Sequence, residues 1–233
     1  MARYRRKKNF FEGMSLTNFI IILNVIVFFF VTIGALIAVS AGVKVEKFIS
    51  FVALNPELFM KGYFWTILTS MFTHINFSHL LVNMISLFFI GMFVERLIGR
   101  KRYMWFYLIS GLVASLTFVF FAYLGLYVPN GKALFGGIDD FAVGASGAIF
   151  GLAGLLAVLL PRLKVLLFFI IPMPMWIAMA VLIFGVWIFS IYAGLPVGNT
   201  AHLGGLIFGL IYGAYLRTKY SKKVALLNRM FSQ

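Results

Sequence analysis

The sequence predicts an all-α membrane protein, and three observations lead to that fold class. Hydrophobic residues make up 63% of the 233 positions, only 11% are charged, and the mean hydropathy is +1.03. Long stretches contain no Asp, Glu, Lys or Arg, and the basic residues lie in short segments between those stretches. A soluble domain is about a quarter charged, and a disordered basic chain lacks apolar mass, so the composition excludes both classes.

Six apolar segments predict six transmembrane helices. A membrane-spanning helix needs about 20 predominantly apolar residues. The longest run without charge covers 165–216, and the turn-prone residues 194–200 divide it into two spans. The predicted spans are 17–40, 79–95, 103–126, 145–161, 165–190 and 201–217.

The remaining residues form connections and tails. Residues 41–78 mix charged residues with Phe, Leu and Trp, which predicts short helices lying in the outer membrane interface. Residues 127–143 contain proline, glycines and two aspartates, which predict an exposed outer loop. The predicted organisation is a basic cytoplasmic tail at 1–13, a membrane domain at 14–217 and a second basic cytoplasmic tail at 218–233.

The placement of basic residues predicts the orientation. Sixteen of the 20 Lys and Arg residues lie in the first tail, in the loops 96–102 and 162–164 and in the segment after residue 216. Because Lys and Arg concentrate on the cytoplasmic side of membrane proteins, we expect both termini of this multi-pass protein in the cytoplasm. The expected location is a prokaryotic cell membrane.

The net charge indicates lipid rather than nucleic acid as the partner. With this orientation the inner face carries the formal charge of +14 and the outer face sums to zero. Basic residues beside spans attract anionic lipid at the cytoplasmic face, whereas no basic groove with interleaved aromatic residues is present for nucleic acid. The chain has no cysteine, which excludes disulfides and thiol catalysis.

Five polar residues in or beside the spans predict one functional site. Strongly polar side chains within a membrane are costly and mark functional sites by default. Spans two, four and six all run from the outer to the inner face, and the polar residues lie at their outer ends. We therefore expect one shallow site near the outer face that contains His74, His79, Asn83, Ser146 and His202.

Glycines in spans four and six supply a means of bringing two of these residues together. Span six has Gly205, Gly209 and Gly213 at four-residue spacing, and His202 shares a helix face with the first two. Small residues let helix backbones approach closely in lipid. If span four, with its own glycines, packs on this stripe, Ser146 and His202 can meet.

A serine beside a histidine supports nucleophilic catalysis, because imidazole can take the hydroxyl proton. The backbone N–H of Ser146 and the side chains of His79 and Asn83 could stabilise an oxyanion. No carboxylate lies near spans four and six except in the outer loop, so a dyad is favoured over a triad. Each residue alone also has an ordinary explanation, a helix-contact serine or a buried hydrogen-bonding histidine.

A metal site is the rival chemistry, and the spacing disfavours it. His74 and His79 are five residues apart, which puts them on different helix faces, and no His-Glu-x-x-His motif occurs. We expect neither metal nor cofactor.

Three motifs in order resemble those of the rhomboid intramembrane serine proteases, over about residues 50–215. Residues 55–84 resemble the family's first loop and second span. Residues 144–147 read Gly-Ala-Ser-Gly, similar to the Gly-x-Ser-Gly motif, and residues 201–209 are similar to Ala-His-x-x-Gly-x-x-x-Gly. The resemblance implies a six-transmembrane-helix rhomboid-like bundle with an interfacial first loop.

The resemblance also implies a role for each matching residue. Ser146 would be the nucleophile and His202 the general base, and His79, Asn83 and the Ser146 backbone N–H would line the oxyanion hole. The residues that would line or support the cavity are His74, Gly144, Gly147 and Phe150, of which Phe150 would pack on the catalytic imidazole.

The family cleaves other membrane proteins in or near their transmembrane segments, and substrates are thought to reach the site between spans two and five. Pro172 and Pro174 predict a kink in span five. Trp65 is followed by Thr66, where many bacterial members have arginine, so the anchoring of the first loop is expected to differ.

The sequence leaves three functions open. The first is a serine endopeptidase that acts on transmembrane substrates. The second is a non-catalytic membrane-protein binder or chaperone of the same fold, and the third is a small transporter that uses the polar pocket.

Overall fold

The protein is an assembly of long apolar helices joined by short helices and one β-hairpin. A computed structural model describes residues 13–168, 170–193 and 198–231. The helices are α1 (Leu16–Ser40), α2 (Val45–Ile49), α3 (Pro56–Met60), α4 (Thr66–Thr69), α5 (Phe77–Ile98), α6 (Arg100–Leu124), α7 (Gly131–Phe135), α8 (Ser146–Leu159), α9 (Met175–Ala193), α10 (Asn199–Lys219) and α11 (Ser221–Phe231). The strands are β1 (Lys164–Leu167) and β2 (Ile171–Pro174).

Among the described residues, four helices are long and apolar enough to cross a membrane, namely α1, α5, α6 with its short 3₁₀ extension, and α9. Helix α8 is apolar but has only 14 residues. Helix α10 is not among the four, because its glycines, His202 and the terminal Arg217 lower its hydropathy. The predicted helical membrane bundle and multi-pass class are confirmed, and the count of six spans stays a prediction.

Helices α8 and α10 touch through their backbones. A methyl group built on Gly205 would overlap the carbonyl oxygen of Gly147, and one built on Gly209 would overlap that of Gly151. Helix α6 completes the contact, because a methyl group built on Gly151 would also overlap the hydroxyl of Ser110. The glycine spacing that predicted close packing in lipid therefore joins α6, α8 and α10 into one core.

A buried carboxylate fixes the start of α1. Glu95, near the end of α5, accepts hydrogen bonds from the backbone N–H groups of Leu16 and Thr17, both at 2.8 Å, and from the Thr17 hydroxyl at 2.7 Å. The first N–H groups of a helix have no intrahelical partner and attract negative charge. The Glu95 side chain thus supplies hydrogen-bond acceptors for the first N–H groups of α1 and holds this helix end against α5.

The prediction of a fifth span beginning at residue 165 was wrong at its start. Strands β1 and β2 pair antiparallel, with Lys164 opposite Pro174, and α9 begins only at Met175. Pro172 lies in strand β2 and Pro174 precedes the first turn of α9, so neither proline kinks the helix. Proline lacks an N–H donor, which suits an edge strand or a helix start and not a helix interior.

The connections 41–78 and 127–143 are tied to each other. In the segment 41–78, three short helices form as predicted, and the backbone of Leu54 pairs with Ala142 in the loop 127–143. The Asn55 side chain donates to the Asp140 carbonyl at 3.3 Å and accepts from the N–H of Leu58, which caps α3. The segments 41–78 and 127–143, which the sequence predicts as surface connections, therefore form one layer over the bundle.

The sequence predicts only a basic tail after residue 218, but Ser221–Phe231 form helix α11. Val224 is buried, Leu227 and Phe231 pack on the bundle, and Asn228 donates to the Leu159 carbonyl at 2.7 Å. Apolar residues at positions i, i+3 and i+7 give one apolar helix face, which explains why this tail packs against the helix ends.

Replacing Gly209 by alanine is expected to lower the free energy of unfolding by about 2 kcal/mol or more, because the new methyl group must push α10 away from α8. Unfolding in mixed micelles measures the change. Gly185→Ala in α9 is the matched control, since a methyl group there meets only a Val181 side-chain carbon at 3.7 Å. Equal stability of the two variants would contradict the backbone contact.

Replacing Glu95 by glutamine is expected to lower the free energy of unfolding by about 2 kcal/mol, because charge-assisted hydrogen bonds become neutral and one acceptor oxygen is lost. The same micelle experiment applies, and proteolysis near residue 16 should increase as the end of α1 frays. Glu46→Gln, at an exposed position in α2, is expected to change little.

Candidate active site

Ser146 is the first residue of α8, and a glycine turn sets it there. Gly144 has φ +118°, which side chains rarely adopt, and its N–H donates to the Ser70 carbonyl at 2.8 Å. The turn directs Ser146 into a cavity, and the start of α8 leaves backbone N–H groups without intrahelical partners. Ser146 thus combines a hydroxyl with the positive end of a helix dipole.

His202 lies in the first turn of α10, and the α8–α10 contact brings it to Ser146. The Ser146 Oγ and the His202 Nε2 are 2.8 Å apart. Phe150, one turn along α8, stacks on the imidazole with ring centroids 4.4 Å apart and planes 16° apart. The stacked ring fixes the plane of the imidazole, so its nitrogen faces the hydroxyl.

His79 and Asn83 approach the same serine from α5. A methyl group built on Gly144 would lie 2.9 Å from the His79 Nε2 and 3.7 Å from the Ser146 Oγ. The His79 imidazole and the Ser146 hydroxyl therefore both lie next to the Cα of Gly144. The Asn83 side chain is buried and its amide donates to the His79 carbonyl at 2.8 Å. A carboxamide carries two N–H bonds, so Asn83 has a further donor beside this one.

His74 lies behind His79 and does not line the cavity. Its ring meets the His79 ring edge-on at 5.1 Å, and neither of its nitrogens has a hydrogen-bond partner among the described residues. Burial lowers the pKa of His74 to about 4, and the nearby His79 acts in the same direction. His74 is therefore neutral at pH 7 and supports the His79 ring by packing.

The polar groups open into a cavity of about 770 Å³. Apart from them the walls are mainly apolar: Phe89 in α5 and Leu182 in α9 face it, and Phe168 at the hairpin turn contributes to it. Both α5 and α9 contain a π-helical turn beside the cavity, over Leu87–Gly91 and Val181–Gly185, a distortion frequent at functional sites. The site therefore joins a polar end to an apolar cleft between two long helices.

Three carboxylates of the described residues have partners away from His202. Glu95 holds the start of α1, Asp139 pairs with Lys132, and Asp140 accepts from the Gly137 N–H. None of them hydrogen bonds to His202. In the described ranges, no group of three His, Cys, Asp or Glu side chains comes together as metal ligands would.

The sequence did not single out Ser70 or Phe168. The Ser70 carbonyl holds the Gly144 turn, and Phe168 forms part of the cavity wall. A backbone carbonyl carries no residue-specific signal, and Phe168 is one apolar residue in a chain with 28 phenylalanines. Neither role could be found without the fold.

Comparison with known proteins shows the family of this chain. The family profile described as "Rhomboid domain" matches residues 61–219. The "Rhomboid protease GluP" of Bacillus subtilis is 32% identical over 202 residues, which are 86% of this chain and 34% of that protein. The "Rhomboid protease AarA" of Providencia stuartii is 32% identical over 230 residues, 91% of this chain and 76% of that protein.

The yeast "Rhomboid protein 1, mitochondrial" is 32% identical over 162 residues, 68% of this chain and 43% of that protein. The chain thus spans about a third of the Bacillus relative and under half of the yeast one. The matched range 61–219 nevertheless contains every residue of the candidate site, from His74 to His202. On the match of this domain and of its relatives, the chain belongs to the rhomboid family.

Proposed function

We propose that this protein is an intramembrane serine endopeptidase that hydrolyses peptide bonds in or near the transmembrane segments of other membrane proteins. The observation that carries the proposal is the 2.8 Å separation of the Ser146 Oγ and the His202 Nε2 inside a cavity between long apolar helices. Family membership supports the same chemistry.

The reaction proceeds through an acyl-enzyme. The His202 Nε2 takes the Ser146 hydroxyl proton as the Oγ attacks the substrate carbonyl carbon, and the carbonyl oxygen becomes an oxyanion. The imidazolium returns the proton to the leaving amine as the C–N bond breaks, which leaves an ester on Ser146. Water then repeats the sequence: His202 takes one of its protons, the hydroxide attacks the ester carbonyl carbon, and His202 returns that proton to Oγ as the product leaves as a carboxylic acid, which then loses its proton to water.

The oxyanion needs preorganised donors in a place with little water. The proposed donors are the Ser146 backbone N–H, the His79 imidazole and the Asn83 amide. The location of Ser146 at the start of α8 and the flanking of Gly144 by His79 and Ser146 support this assignment. Because none of the described carboxylates bonds to His202, the stacked ring of Phe150 takes over the orientation of the imidazole.

A transmembrane substrate reaches the cavity between α5 and α9 in this proposal. The apolar walls formed by Phe89 and Leu182 suit an apolar segment, and the two π-helical turns provide places where the helices can bend. The basic tails face the cytoplasm beside anionic lipid and the site lies near the outer face of the cell membrane. The distribution of Lys and Arg supports this orientation.

Ser146→Ala and His202→Ala are each expected to reduce cleavage of a transmembrane reporter by about a thousandfold or more, because each removes a group that acts in the bond-breaking step. Cleavage by purified protein in detergent is the measurement. Ser110→Ala is the matched control, since that hydroxyl is also buried, lacks a hydrogen-bond partner among the described residues and lies outside the cavity.

A fluorophosphonate separates the enzyme from a binder or transporter of the same fold. The wild-type protein should be labelled at Ser146, and the labelling should disappear in His202→Ala because the hydroxyl loses its base. Reporter capture without cleavage, unchanged in Ser146→Ala, would instead establish the non-catalytic binder.

Asn83→Ala is expected to lower kcat about a hundredfold with little change in KM, since an oxyanion donor acts on the transition state more than on the bound substrate. Reporter kinetics measure the two constants, and the melting temperature checks the fold. A lower melting temperature with unchanged kcat would assign Asn83 a packing role only.

A further inference from the structure

Three basic residues lie near one tyrosine at the end of the bundle where α10 joins α11. Arg102, near the start of α6, donates to the Tyr220 hydroxyl at 3.0 Å and lies 5.5 Å from the centre of the ring. The Lys219 ammonium donates to the Tyr215 hydroxyl at 2.8 Å and lies 5.9 Å from the Tyr220 ring. Lys223, one turn along the chain, lines the same small cavity as Arg102 and Tyr220.

None of these cations has a carboxylate partner in the described part of the chain. The salt bridges there are Lys61 with Glu57 and Lys132 with Asp139, both in the outer connections. The described acidic residue at this end of the bundle is Glu95, whose oxygens bind the start of α1. Like charges brought together without a counter-charge repel each other. An anion bound between these cations would reduce that repulsion.

The cavity beside the cations has an apolar wall. Its volume is about 50 Å³, and its apolar lining comes from the end of α5, the ends of α8 and α10, and α11. Leu97, Ile98 and Leu227 belong to this wall. A free phosphate gains nothing from an apolar wall, whereas a lipid places its phosphate and the start of an acyl chain side by side.

Helix α11 holds its part of the cluster in place. Val224 is buried next to Lys223, and the Asn228 amide donates to the Leu159 carbonyl at 2.7 Å. These contacts fix the direction of α11 under the bundle. The three cations therefore lie on packed helices and not on an extended tail: Arg102 is in α6, Lys219 in α10 and Lys223 in α11.

We propose that Arg102, Lys219, Lys223 and Tyr220 form a binding site for the headgroup phosphate of an anionic phospholipid. The phosphate accepts hydrogen bonds from the guanidinium and the ammonium groups, and the acyl chain leaves along Leu97 and Ile98. Arginine binds phosphate through two parallel N–H bonds and lysine adds point charge. The site is separate from Ser146 and His202 and does not depend on the proposed protease activity.

The test compares two charge-matched double variants of the full chain in a neutral detergent. Native mass spectrometry follows the binding of phosphatidylglycerol and of phosphatidylcholine. The variant Arg102→Gln/Lys223→Gln removes two cations from the cavity, while Lys101→Gln/Lys222→Gln removes the two neighbouring cations that do not line it.

The cavity variant is expected to bind phosphatidylglycerol about 30-fold more weakly, since each cation near anionic lipid contributes about fivefold. The neighbour variant is expected to change binding less than about threefold, and phosphatidylcholine binding should respond to neither. An equal loss in both double variants would overturn the site in favour of diffuse attraction, and no loss in either would overturn it outright.

Two further arms keep the test decisive. If the double variant does not fold, the adjacent single changes Lys223→Gln and Lys222→Gln are compared, with Lys223→Arg expected to restore binding.

Glycerol 1-phosphate carries the phosphate without acyl chains and should not displace the lipid at equal concentration. Binding of glycerol 1-phosphate as tight as that of phosphatidylglycerol would overturn the lipid assignment and indicate a site for free phosphate esters.

Discussion

The backbone contact between α8 and α10 is the constraint on which the rest of the structure depends. The backbones of two helices can touch only where both helices lack side chains, and Gly147, Gly151, Gly205 and Gly209 supply that surface. The contact puts the first turns of the two helices side by side. The Ser146 hydroxyl and the His202 imidazole then lie within hydrogen-bond distance, while the Gly144 turn and the Phe150 ring set their orientation. A shift of either helix would separate them.

The polar groups of the chain are placed where the apolar interior can tolerate them. Glu95 binds three donors at the start of α1, and the Asn83 amide bonds to its own helix. An unsatisfied polar group in lipid costs several kcal/mol. Several buried groups depart from this pattern, among them His74 and the Ser110 hydroxyl, which have no hydrogen-bond partner among the described residues. The cations around Tyr220 also depart from it, because they have no carboxylate partner there.

Most of the fold follows from periodicity and composition, and the exceptions have physical causes. The start of α9 was missed because residues 165–174 are apolar, and an apolar run alone does not distinguish a helix from a strand. The paired prolines, interpreted as a kink, belong to a strand edge and a helix start. Helix α11 was missed because five of its 11 residues are polar, which masks the apolar face formed by Val224, Leu227 and Phe231.

Local composition and helical period are enough to predict the membrane class, the polar residue types and the glycine spacing that lets two helices touch. The sequence also identified Ser146, His202, His79 and Asn83 as one group, because helix direction alone puts their positions at one level. The sequence does not predict the 2.8 Å contact, the place of His74 behind His79 or the proximity of Arg102 to Lys223. These depend on the rotation and depth of each helix, which are set by packing between segments far apart in the chain.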